Sequence, residues 1–122
     1  KVDLSSIRTE HDLAVVKAAI NPIMHFMVDV HFTEAPPELT EKLMTEHGRA
    51  VLRRAPARNK FNRYSVARMS NWKVCGDKML SLDATFSDLL RRKFWQEQYL
   101  FVETVDGWRF DEHRQAQCQS RP

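Results

Sequence analysis

Apolar positions in the first half of this chain recur at the helical period, and in the second half they alternate. Leu13, Val16, Lys17, Ile20, Met24, Met27 and Val28 fall at spacings of three and four, which predicts an amphipathic helix opening at a Thr9–Asp12 capping box. Pro22 is expected to kink that helix or split it near Ile20, because proline removes a backbone donor and crowds the preceding turn. Thr33 to Pro37 reads as a connector, stopped by Pro36-Pro37. A second helix is predicted from Pro37 to about Arg54, with Leu39, Leu43, His47, Ala50, Val51 and Arg54 on or near one stripe. Glu38 and Glu41 sit in its first turn and Arg49, Arg53 and Arg54 in its last turns, each sign where the helix dipole favours it.

Past Pro56 the period becomes two. Tyr64, Val66, Arg68, Ser70, Trp72 and Val74 alternate, Gly76-Asp77 has hairpin-turn chemistry, and Leu80, Leu82, Ala84 and Phe86 form one face of a half-buried strand. Ser87 to Lys93 reads as a polar loop. Phe94 to Thr104 reads as a long aromatic strand, and Asp106-Gly107 as a tight turn with Trp108 facing Val105 across it. Trp108 to His113 then returns antiparallel. The expected class is α+β: N-terminal helices packed on a curved antiparallel four-stranded meander. One domain over residues 1–114 with a polar tail over 115–122 accounts for the length.

Charge divides the chain more sharply than hydropathy does. The formal net charge of +3 separates into −4 up to Glu46, +8 from His47 to Cys75, and −1 from Gly76 onward. The middle block has no acidic residue. Within it Arg49, Arg53 and Arg54 have the helix-end explanation, whereas Arg58, Lys60, Arg63, Arg68 and Lys73 have no local reason for their charge. Phe61, Tyr64 and Trp72 are interleaved with them. These five are the candidate partner-binding residues, for an acidic protein surface or for single-stranded nucleic acid held by phosphate contacts and base stacking.

No uninterrupted apolar run reaches the length of a membrane span, so no span is expected in this fragment. The chain starts at Lys1 without a visible signal peptide and is read as an excised domain or a processed chain. Cys75 and Cys118 lie far apart in sequence, with Cys118 in the polar tail. Free thiols and a reducing compartment, cytoplasmic or organelle-matrix, are the expectation. Neither cysteine has zinc-ligand spacing, and no metal or other cofactor is expected.

The strands KMLSLDATF and KFWQEQYLFVET, followed by VDGWRFDEH, resemble the closing sheet of the nuclear transport factor 2-like (cystatin-like) superfamily. The layout matches over about residues 10 to 113, the motifs only over the last third. Placing all helices before all strands is closer to the abbreviated assembly domains of secretion-system and mitochondrial-translocase components. The resemblance implies a cone-shaped roll around a long helix, with Phe86, Trp95 and Tyr99, beside Leu80, Leu82, Ala84 and Phe101, lining the cone or its floor. It also implies that the outer sheet face is available for dimer formation.

His25 and Asp29 lie one helical turn apart and are the catalytic candidates, an oriented imidazole able to act as a general base in a dehydratase- or isomerase-like pocket. No nucleophile elbow, phosphate loop or metalloprotease motif accompanies them. The preferred expectation is a non-catalytic interaction or assembly domain that self-associates or binds an acidic partner. The enzyme and the nucleic-acid binder are the alternatives.

Overall fold

The structure is a computed structural model, and it describes residues 1–30, 36–53, 64–90, 92–113 and 118, without the side chains of Arg53 and Tyr64. Among the described residues three α-helices, α1 (Glu10–His25), α2 (Pro37–Leu43) and α3 (Glu46–Arg53), precede four strands, β1 (Tyr64–Val74), β2 (Met79–Asp88), β3 (Lys93–Thr104) and β4 (Gly107–His113). The strands form one open antiparallel sheet in the order β1-β2-β3-β4. The fold is therefore α+β, helices first and meander after.

Thr9 opens α1 by accepting a hydrogen bond at Oγ1 from the Asp12 N–H, at 3.1 Å. Pro22 lies inside α1 and does not split it at Ile20. The helix instead continues into a π-helical turn over Phe26–Val30. The face against the sheet is Val16, Ala19, Ile23, Phe26, Met27 and Val30, all buried. It is offset from the predicted stripe, for Lys17 and Val28 are exposed and Ile20 and Met24 are half-buried. Both stripes are apolar enough, and Phe26 decides between them. Its ring stacks on Phe110 at 4.5 Å and meets Phe101 edge-on at 5.7 Å. By length and composition Glu10–Val30, with a mean hydropathy of 1.4, could also cross a membrane. In this fold its apolar face forms the core.

The single helix expected from Pro37 is interrupted at Met44 and Thr45. Met44 leaves the helix to make a bridge with Phe110 of β4. The Thr45 N–H donates to the Phe110 carbonyl at 2.9 Å. Thr45 Oγ1 accepts from the Gly48 N–H at 2.9 Å and so caps α3, while its hydroxyl donates to Asp111 Oδ1 at 2.7 Å. A side chain at Gly48 has no room here: a Cβ would stand 2.4 Å from the Phe110 carbonyl oxygen. Replacing Gly48 with Ala should cost about 1–3 kcal/mol, read as a lowered urea midpoint, because backbone and not a flexible side chain must give way. An unchanged midpoint would refute this contact.

Both edges of the sheet are covered near their middles. On the β1 side Val2 bridges to Met69, and the Ser6 hydroxyl donates to the Trp72 carbonyl at 2.8 Å. On the β4 side the Met44–Phe110 bridge does the same. Covered edges resist pairing with a second chain. Strict alternation fails in β1, where register shifts fall between Val66 and Arg68 and between Ser70 and Lys73. Each shift moves following residues to the other face. Met69 and Trp72 thereby enter the core, and Arg68 points outward. Strand β2 runs on to Asp88, so the predicted loop shortens to residues 89–92. The β3–β4 turn is Val105-Asp106, closed by the Thr104–Gly107 pair. Trp108 faces Glu103, and Val105 is fully exposed.

Cys75 and Cys118 form a disulfide, with Cα atoms 6.2 Å apart. This corrects the expectation of free thiols. The sequence separation of 43 obscured the pairing, whereas in space Cys118 lies buried on the outer sheet face, where Ser81 donates to its Sγ at 3.7 Å. A crosslink closing a loop of that length restricts the unfolded chain by about 2–4 kcal/mol. The Cys75→Ser/Cys118→Ser double variant should lose that much in urea unfolding and should no longer respond to dithiothreitol. Wild-type stability that reduction leaves untouched would contradict the pairing.

Candidate functional site

The structure brings His25 and Asp29 together, Nε2 to Oδ2 at 3.4 Å, as the helical spacing predicts. The pair sits on the outer side of the helix, with 43% and 57% of the two side chains exposed. His11–Asp77 at 3.0 Å and His47–Glu112 at 2.7 Å are similar surface pairs. A histidine beside a carboxylate is thus a recurring motif of this surface. Among the described residues no group of three or more His, Cys, Asp or Glu side chains could hold a metal ion.

The residues implied as pocket lining are core residues. Phe86 and Tyr99 are fully buried, and Trp95 is half-buried and stacked on Phe86 at 5.3 Å. Tyr99 packs edge-on to Phe86 and tilted against Phe110, each at 6.0 Å. Its hydroxyl donates to Glu97 Oε2 at 3.3 Å, at the margin of the inner face. Leu80, Leu82, Ala84 and Phe101 complete the same buried layer. These rings fill the space between α1 and the sheet.

Of the five basic candidates, Arg58, Lys60 and Arg63 lie outside the described residues. Arg68 is half-exposed, and its guanidinium donates to the Asp3 carboxylate. Lys73 is half-buried, opposite Ser81 in register. Trp72 is buried, which removes it as a surface platform for a base; Phe61 and the Tyr64 side chain fall outside the described residues.

Two surface features come from the fold alone. An open cleft of about 520 Å³ lies between Glu38, Glu41 and Lys42 of α2, Arg49 of α3, and Asp106 and Arg109 at the β3–β4 turn. Three acids and three bases line it, so it favours neither sign. Arg109 is mostly buried, with Nη2 3.5 Å from Asp106 Oδ2, and its Nε has no hydrogen-bond partner among the described residues.

The second feature is the β2–β3 turn. Leu89, Leu90 and Phe94 are 65%, 73% and 70% exposed there, beside exposed Arg92 and Lys93. Reading Ser87 to Lys93 as polar concealed it. The available signal was a Leu-Leu pair next to three consecutive basic residues, with no alternation to give either leucine an inward face.

No protein-family profile, curated protein or solved structure matches this chain.

The Asp3–Arg68 pair has a pH signature. A hydrogen bond from the Ser5 N–H, then the Arg68 guanidinium, hold the Asp3 carboxyl far below its ordinary range. A carboxyl lowered in the folded state stabilises it above the unfolded value of about 4, and that contribution is lost progressively as pH falls from there through the depressed folded value. Acidification from neutral pH should therefore loosen the Val2–Met69 bridge. The Met69 amide, which donates to the Lys1 carbonyl at 2.9 Å, should show weaker hydrogen-exchange protection in Asp3→Asn at neutral pH. Equal protection in variant and wild type would show that the carboxylate does not hold this edge.

Proposed function

We propose that this chain is a non-catalytic interaction domain, of the assembly type that its layout resembles in the nuclear transport factor 2-like superfamily. It acts through its outer surface, by self-association or by binding an acidic partner. The observation that supports this reading is the filled interior: Phe26, Phe86, Tyr99, Phe101 and Phe110 are buried together in the core between α1 and the sheet. The His25–Asp29 pair lies away from that interior, on the solvent side of its helix. A general base works best where water is excluded and a substrate is held in reach. The basic block supplies the recognition. Its charge is long-ranged at low salt and screened over about 8–10 Å at physiological ionic strength.

Association should therefore weaken with salt. Sedimentation equilibrium at low and high sodium chloride would report it, on the wild type and on a variant carrying Arg58→Glu, Arg63→Glu and Lys73→Glu. A salt-sensitive dimer or hetero-complex that the variant loses is the expected outcome. A strictly monomeric chain whose partner binding ignores both salt and these substitutions would reject the reading.

A further inference from the structure

We propose that the β2–β3 turn is a membrane-surface anchor that docks on an anionic lipid bilayer. The tip presents Leu89, Leu90 and Phe94, each about two-thirds exposed or more, on either side of exposed Arg92 and Lys93. From Leu89 to Gln96 the sequence holds three basic residues and no acidic one. The adjoining acid, Asp88, is 5% exposed, and its Oδ1 accepts the Leu90 N–H at 3.0 Å. That bond is an Asx-type turn, which turns the carboxylate inward and leaves the two leucines outward. The tip is thus apolar at its apex and cationic just below.

This combination distinguishes the possible occupants. A protein partner would need a concave apolar pocket bearing acids at its rim. An anionic bilayer offers both requirements over any part of its surface: acyl chains for the leucines and the phenylalanine, and headgroups for the Arg92 and Lys93 side chains. The β3–β4 hairpin apex shows the contrast. Val105 there is a single apolar residue next to Asp106, and it has neither the apolar area nor the charge for the same role.

The test is flotation of the whole chain with vesicles of phosphatidylcholine, with and without phosphatidylserine. Wild type is compared with Leu89→Ser/Leu90→Ser/Phe94→Ser, with Arg92→Ala/Lys93→Ala, and with Val105→Ser. Wild type and Val105→Ser should bind the phosphatidylserine vesicles and be released by salt. Each tip variant should lose at least about tenfold in partitioning, as two lost cations or three lost apolar contacts require. Because these residues are exposed, the variants should keep the wild-type urea midpoint, which separates lost binding from lost folding. Leu90→Trp should add a blue-shifted emission on binding, a gain that no misfolded variant would mimic. The proposal fails if wild type does not float, or if the tip variants float as wild type does and so place binding elsewhere, for instance on Glu10–Val30. It also fails if they alter only the sedimentation behaviour, because the tip would then be a protein contact.

Discussion

The Phe26 ring holds the two halves of this molecule together. It comes from the π-helical turn that extends α1, and it lies flat on Phe110 of β4 while meeting Phe101 of β3 edge-on. Aromatic pairs in these geometries contribute about 0.5–1.5 kcal/mol beyond the area they bury. Their positional effect is greater. Phe26 selects which of two apolar stripes on α1 faces the sheet, and that selection sets Val16, Ala19, Ile23 and Val30 inward. It leaves His25 and Asp29 outward. The interior is filled from both sides, by Phe26 from the helix and by Phe86, Tyr99, Phe101 and Phe110 from the sheet.

The sheet is secured by separate means at each margin. Residues near Val2 and Ser6 cover β1, Met44 and Thr45 cover β4, and Cys118 crosses to the outer face and is tied to Cys75. These contacts join segments distant in sequence. They leave the β2–β3 turn as a projecting apolar feature at the end of the sheet where β1 begins, since Tyr64 lies opposite Asp88. The N-terminal clip is ionic and sensitive to pH, whereas the disulfide depends on the redox environment.

Much of the layout was legible in the sequence because it rests on local periodicity. The helix after Thr9, the alternation from Leu80 to Phe86, and the long aromatic strand through Tyr99 and Phe101 all appear where the pattern puts them, although the buried face of that helix is offset from the predicted stripe. What escaped was decided by contacts between distant segments. The bulges in β1 turn Arg68 outward and Met69 inward, although the alternating residues gave Arg68 the same face as Val66. Met44 and Thr45 break a plausible continuous helix because Phe110 offers them backbone partners. The Cys75–Cys118 pairing escaped because polar neighbours surround Cys118 and nothing local announces Cys75. The His25–Asp29 proximity was a local property and was legible. Its exposure was a tertiary one and was not.

Gly48 shows how narrow the margin of such an arrangement is. Helix α3 rests on β4 only because one position lacks a methyl group, and the same close approach brings Thr45 within reach of the Phe110 carbonyl. A side chain at this position cannot grow, because backbone stands in its way. A chain that acquired a bulkier residue there would tend to lift the helix and expose β4 as a bare strand. Its first defect would be a change of company, with copies pairing edge to edge, before any loss of the hydrophobic core. Folding stability and resistance to edge pairing would then both favour a glycine at this site.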